Sequence, residues 1–241
     1  MTAGPRPFAL RDYAFLADGE RGILVGPRGE MAWMCFPSWD SPSIFTSLLG
    51  GAGHYQVVPA DDRFVWGGYY EESTLIWNSR WITTDSVIEC REALVFPADP
   101  SRAVVLRRVR AVDGPARITA RLDLRADYGR RPMTDVSRDG ASWRATSGPV
   151  HLRWHPGSGV RRLRGGELSL RVDLAPGQHR DLILELSTTP ITGDIGSAES
   201  LWQATAQSWH DCVPAMAQVR ARRDAAHAYA VMRGMTTAEG A

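Results

Sequence analysis

The chain has no lysine: all 28 of its basic residues are arginine, against 27 acidic residues and a formal net charge of +1. Without a primary amine on any side chain, Schiff-base chemistry through lysine is excluded. The near-zero net charge gives no whole-protein field toward nucleic acid or an anionic membrane, so neither is expected as a partner. Cysteine is scarce as well. Cys35, Cys90 and Cys212 are odd in number and far apart, which argues against a disulfide framework or a metal knuckle and for buried free thiols. No apolar run approaches the ~20 residues of a membrane span, and the opening MTAGPRPFALRDYAF is broken at Gly4, Pro5 and Pro7. The cytoplasm is the expected compartment. Walker, dinucleotide-binding and Gly-x-Ser-x-Gly patterns are also missing, so nothing supports phosphate-loop, dinucleotide or serine-hydrolase chemistry, and no cofactor is expected.

A large core is present in the composition: 44% of 241 residues are hydrophobic, with 9 tryptophans. That supports one large β domain or two small domains. From 14 to 186 the dominant period is two, with β-branched and aromatic residues alternating with polar ones between Gly, Pro and Asp turns. The clearest strands span 74–84, 87–96, 103–112, 116–124, 168–174 and 180–186. Turns at Asp113-Gly114, Asp139-Gly140 and Pro176-Gly177 separate short strands and favour an antiparallel β-sandwich. A short helix is predicted at 44–49, behind Ser41 and Pro42 and ending at Gly50. The period changes after Pro190. A linker helix is predicted from Ser197, with Trp202, Ala206, Trp209 and Val213 near one face and Pro214 as the stop. A second is predicted at 220–233, with Ala225, Tyr229 and Met232 on one side, Gly234 as its C-terminal cap, and an apolar face that nothing else in the chain covers.

Residues 12–50 are the densest in chemistry. The turns Asp18-Gly19 and 26–29 bracket two short strands, with Asp18 and Glu20 expected as solvated turn residues. A strand end and loop then crowd Trp33, Cys35, Pro37, Trp39, Asp40, Ser41 and Pro42 together. Trp33 alternates with Met31 and Cys35, which predicts a core position. Trp39, in the loop, is open to either packing or stacking on a sugar ring. Asp40 reads as an Asx-turn residue capping the region around Ile44, or as a polar contact at the edge of a sugar site. His151 and His155 share one face of a predicted strand without a third metal ligand. Arg161, Arg162 and Arg164 beside Gly165 and Gly166 read as a solvated turn in a Gly/Ser/Arg-rich loop. No catalytic dyad of the kind glycosidic hydrolysis requires, and no metal site, is expected.

Asp12, Tyr13, Ala14, Trp33, Cys35, Pro37, Asp40, Ser41, Pro42, Phe45 and Leu48 together resemble the opening of the bacterial and archaeal glucoamylase and trehalase-like enzymes of glycoside hydrolase family 15. The run Asp127-Tyr128-Gly129-Arg130 and the tail 223–241 agree with the same family. The resemblance implies an N-terminal sandwich of the supersandwich kind at 1–196. Residues 197–241 would then be a linker helix and the start of the first helix of a catalytic α/α barrel. Both catalytic glutamates of the family would lie beyond Ala241, so no residue here is expected to be catalytic and the chain alone is expected to be inactive. The implied partner is that barrel, in cis or as a separate chain, with Trp202, Trp209, Tyr229 and Met232 at the interface. α-Glucan or trehalose is the implied substrate, with Trp39 and Asp40 as candidate contacts. The competing reading is a stand-alone carbohydrate-binding module using Trp39 with Trp66 or Trp77.

Overall fold

A computed structural model describes residues 7–240; the first six residues, with Gly4 and Pro5, and Ala241 lie outside the described residues. The strands are β1 (Ala14–Ala17), β2 (Gly22–Val25), β3 (Glu30–Cys35), β4 (Ser43–Phe45), β5 (His54–Pro59), β6 (Val65–Tyr70), β7 (Trp77–Ile82) and β8 (Val87–Leu94). They continue with β9 (Arg102–Asp113), β10 (Ala116–Asp123), β11 (Thr134–Asp139), β12 (Ser142–Ser147), β13 (Val150–His155), β14 (Arg161–Arg162), β15 (Leu168–Leu174) and β16 (His179–Ser187). Helices α1 (Ala198–Cys212) and α2 (Arg222–Gly234) follow. Every named strand pair is antiparallel. The first sheet runs β1-β2-β3-β5-β10-β15-β14 with β4 on β3, and the second β11-β12-β13-β16-β9-β8-β7-β6.

The alternation that predicts these strands also places their faces. In β15 the burial alternates residue by residue, with Leu168, Leu170, Val172 and Leu174 inward, as a strand with one face on the core must. The inner faces meet around Leu16, Ile23, Met31, Tyr55, Trp81, Leu122, Trp154 and Leu184. Indole and phenol polar atoms are satisfied inside: Trp154 Nε1 donates to Tyr55 Oη at 3.1 Å and Trp81 Nε1 to the Pro27 carbonyl at 2.9 Å.

Several expectations need correction. Trp33 is only half-buried because the β2–β3 pairing carries a bulge: Leu24 opposes Trp33 and Val25 opposes Met31, leaving Ala32 over. The extra residue switches the parity, so Met31 and Met34 both point inward. The helix predicted at 44–49 is instead β4, held by Met34 and Cys35 of β3, and a single 3-10 turn at Ser47–Leu49. Its end at Gly50 does carry the left-handed φ of 73° that a glycine cap supplies. Residues 74–76 precede β7, with Thr74 N–H bonded back to the Glu71 carbonyl in a turn. Within the Gly/Ser/Arg-rich loop, Arg161 and Arg162 form the short edge strand β14 on β15. All three cysteines are free, but only Cys90 is buried, Cys35 and Cys212 being half-buried.

Helix α1 starts where its sequence cap predicts: Ser197 Oγ accepts the Ser200 N–H. It lies on the outer face of the second sheet, whose Leu106 and Ile183 join Trp202 and Trp209 in a second apolar cluster. Gly234 is not the left-handed cap expected for α2. It sits inside the helix against Leu75 and Ala17, and a Cβ there would come within 2.6 Å of Leu75 and 3.1 Å of Ala17. Close approach of the helix to the sandwich explains this glycine.

Candidate functional site

The aromatic loop after β3 begins at a cis Phe36-Pro37 peptide and is bracketed by two turns. On one side Trp39 stacks on Phe15, ring centroids 6.0 Å apart, and its Nε1 donates to the Gly19 carbonyl at 3.0 Å. The indole fills the space that a side chain at residue 22 would need, a Cβ on Gly22 falling 2.5 Å from it. Gly19 in turn donates its N–H to the Gly234 carbonyl at 2.8 Å, and Glu20 accepts the Ala238 N–H. The β1–β2 turn is thus clamped between the aromatic loop and the end of α2.

Asp18, expected to be solvated, is 3% exposed. Its carboxylate accepts the N–H groups of Glu20 and Arg21, and the buried Arg21 guanidinium lies 3.1 Å away and donates onward to the Asp99 carbonyl. Burial pushes the Asp18 carboxyl up despite the opposing pull of Arg21. Asp40 is the opposite case. It is exposed at the loop apex and accepts from Ser38 Oγ at 2.6 Å, and that bond and one from its own N–H hold its carboxyl below the usual range. It closes its own turn and forms no cap on residues 44–49.

On the other side of the loop, β4 offers carbonyls to the run 125–131. Arg125 N–H bonds to the Ile44 carbonyl and Tyr128 N–H to the Ser43 carbonyl at 3.0 Å. Asp127, Tyr128 and Gly129 take left-handed φ in succession, 54°, 53° and 84°. That conformation costs a non-glycine residue roughly 1–2 kcal/mol. The Ala126–Arg131 bridge and the β4 bonds hold it, and Gly129 has no room for a side chain, with the Ala52 carbonyl 2.9 Å from a Cβ. The two motif segments, 37–45 and 127–130, are therefore neighbours, and Tyr128 is exposed between them and solvent.

The four residues expected at a barrel interface separate into two pairs. Trp202 and Trp209 are 1% and 0% exposed and meet their own sandwich. Trp202 Nε1 donates to Asp181 and its ring lies under Arg91, while Trp209 stacks on Phe96 at 4.0 Å. Tyr229 is half-buried and Met232 is 62% exposed. The face of α2 that docks is Ala226, Ala230 and Gly234, so the expectation of a helix with no cover in this chain is wrong. Its closest approach runs through these small residues, which let the helix come up to Ala17 and Leu75; Tyr229 is half-buried against the same apolar cluster, and Met232 stays exposed.

Among the sugar-stacking candidates, Trp77 packs edge-on against Tyr70 and donates to Ser79, whereas Trp66 remains 40% exposed. His155 lies 2.5 Å from Glu185, a carboxylate with no exposed surface that also binds Arg153 and Arg102. His151 sits in β13 and takes no part in that network. Among the described residues, no group of three His, Cys, Asp or Glu side chains is placed to hold a metal, and no helix is long and apolar enough to cross a membrane. Sequence reasoning also missed the pair Arg107–Glu92 between the sheets. Arg107 donates to the Tyr55 carbonyl at 3.1 Å and to Glu92, which in turn accepts from Ser79 at 2.6 Å. The available signal was parity: Glu92 lies two residues from the core residues Cys90 and Leu94, and Arg107 two from Val105 and Val109.

The fold and its loops define a mainly β, two-sheet antiparallel sandwich with two helices at its C-terminal end. The chain belongs to the family described as trehalase-like, N-terminal, whose model matches residues 2–194. It is 28% identical over 240 residues to a trehalase of Mycobacterium tuberculosis, covering 85% of this chain and 34% of that protein. It is 30% identical over 172 residues to a trehalase of Mycolicibacterium smegmatis, covering 62% and 24%. The chain thus spans about a third or less of the length of these relatives. A putative kojibiose phosphorylase from human microbiome aligns with 91% of this chain and 35% of its own at 10% identity and a TM-score of 0.44, a likeness too weak to carry an argument.

Proposed function

We propose that this chain is the non-catalytic N-terminal part of a trehalase-like α-glucoside hydrolase of the family 15 glucoamylase and trehalase type, and that it supports an α/α-barrel catalytic domain in cis or on a separate chain. The observation that carries this reading is the family match over 2–194 together with the 34% of the Mycobacterium tuberculosis trehalase that the chain spans. In this reading residues 1–196 are the supporting sandwich and 197–241 the connection, with the exposed Met232 and the half-buried Tyr229 as the helix residues that would meet the barrel. Trehalose or an α-glucan is the substrate of the whole enzyme.

The carboxylates of the opening segment support inactivity of the chain alone. Glycosidic hydrolysis needs an acid and a base on opposite sides of the scissile bond, but Asp18 is sealed against Arg21 and Asp40 stands exposed on its own loop. Purified chain is expected to leave trehalose, maltose and starch intact, measured as glucose released. Glucose release that disappears in Asp40→Asn, with folding retained, overturns the reading. The exposed Trp66 favours one second reading, a carbohydrate-binding module. Isothermal titration with maltose and trehalose, in which Trp66→Ala removes a measurable binding heat, distinguishes it.

A further inference from the structure

The two sheets treat their outward arginines differently. Those of β8 and β9 in the second sheet each reach a carboxylate: Arg91 binds Glu71, Arg102 binds Glu185, Arg108 binds Asp181 and Arg110 binds Glu89. On the first sheet Arg161 of β14 and Arg171 of β15 are exposed, and among the described residues their side chains have no ion-pair or hydrogen-bond partner. Both line one concave pocket of about 500 Å³, with Arg121, Ser169, Thr119 and Leu163.

Strand register builds this group. Arg161 opposes Ser169, Ser169 opposes Arg121, and Arg171 opposes Thr119, and directly opposed residues of an antiparallel pair share a face of the sheet. Strands spaced by roughly 4.8 Å therefore set Arg161 and Arg121 on either side of Ser169, with Arg171 two residues along the middle strand. Of the run 161–164 that the sequence presents as a solvated basic turn, Arg161 joins the pocket, while Arg162 donates to the Val136 carbonyl at 3.3 Å. The hydroxyls of Ser169 and Thr119 are also without a hydrogen bond among the described residues. The carboxylates of this face lie to the side. Glu167 is held by Arg121 and lies 3.6 Å from His54, Asp173 stands two residues beyond Arg171 and opposite Arg117, and neither lines the pocket.

We propose that this pocket binds a phosphate-class oxyanion, either free or as the monoester of a sugar-sized alcohol. Guanidinium groups grip such an oxyanion through paired N–H donors, and the two hydroxyls can donate to its remaining oxygens. Arg161 and Arg171, with no carboxylate of their own, supply the positive charge that a dianion needs. The pocket is larger than the ion, and Leu163, 38% exposed, gives the remainder of a monoester an apolar wall.

The test is isothermal titration of the full chain with inorganic phosphate and, separately, with glucose 6-phosphate, at constant ionic strength and with glucose and acetate as controls. Saturable binding of a phosphate is expected, and none of glucose or acetate. Tighter binding of glucose 6-phosphate assigns the site to a monoester; binding of inorganic phosphate at least as tight assigns it to the free ion. Arg171→Gln and Arg161→Gln are each expected to weaken binding about tenfold or more, and Arg220→Gln, exposed elsewhere, to leave it unchanged. Arginine Nε–H resonances of the wild-type chain, followed through the same titration, give a readout that does not depend on how the variants fold; those of Arg161 and Arg171 are expected to shift. Absence of saturable binding overturns the proposal, as do unshifted Arg161 and Arg171 signals. Equal binding of acetate, or equal weakening by Arg220→Gln, overturns it too, because general charge attraction then accounts for the effect.

Discussion

Two arginine–glutamate constellations sit in this sandwich within a few strands of each other, and they differ in their access to water. Arg107 and Glu92 lie between the sheets with both side chains fully sealed. Glu185 is equally inaccessible, but two of its partners, Arg102 and His155, keep about a third and a quarter of their side chains exposed. In the sealed pair each charge depends on the other, and proton exchange with solvent cannot relieve a broken one. In the rim network the carboxylate remains linked to bulk pH. Burial alone would raise the Glu185 carboxyl, but hydrogen bonds from His155, Arg153 and Arg102 outweigh it and hold the group down to about 2.

The largest effect is expected from the sealed pair. Arg107→Leu leaves Glu92 buried without a cation and strips the Tyr55 and Gly29 carbonyls of a donor. Urea unfolding should show a loss of about 3–5 kcal/mol, most of it recovered by also making Glu92→Leu, because the stranded charge and not the missing attraction is the main cost. A near-neutral single variant would break the comparison at its root.

Glu185→Gln is expected to cost on the order of 2–3 kcal/mol at neutral pH, from the depressed carboxyl. A group whose pKa falls on folding contributes its stability above its ordinary value and loses it as pH drops. The wild-type chain should therefore lose this contribution as pH falls from the ordinary glutamate range toward about 2. The glutamine variant should show a flatter curve over that window. Equal slopes for the two proteins would place the network outside the pH response.

Gly234→Ala asks whether sealing is costly without any charge. The added methyl meets Leu75 and Ala17, and overpacking of this kind costs typically about 1–3 kcal/mol, read as a lower melting temperature. Unchanged stability would mean that α2 shifts outward freely. Asp40→Asn should give the smallest effect. Its carboxyl is held low by Ser38 but is wholly exposed, and solvent screens such a pair. No change in unfolding midpoint is expected; a clear drop would show that a lowered pKa predicts stability without burial.

Much of this architecture was readable from periodicity. The strand 168–174 appears at its predicted bounds, 116–124 within one residue, and α1 starts at its serine cap. The misreadings share a cause. Strict alternation places Trp33 inward, and one bulge in the pairing with β2 reverses it. The sequence presents Ala225, Tyr229 and Met232 as an α2 face awaiting a partner, whereas the fully buried residues of the helix are Ala226, Ala230 and Gly234, whose smallness gives little hydrophobic signal. At the candidate site the loop residues were legible from their crowding, but their partners were not. Trp39 answers to Gly19 and Phe15, and Tyr128 to Ser43.

The sequence by itself determined the class of fold, the helices after Ser197 and the family, because these follow from local period, turn chemistry and motif residues close together in the chain. Tertiary structure alone decided which charges are sealed and which aromatics are spent on packing. Arg107 finds Glu92 15 residues away and Arg102 finds Glu185 83 residues away. Partners at that separation meet only when antiparallel registers are set, and register is a property of the assembled sheets.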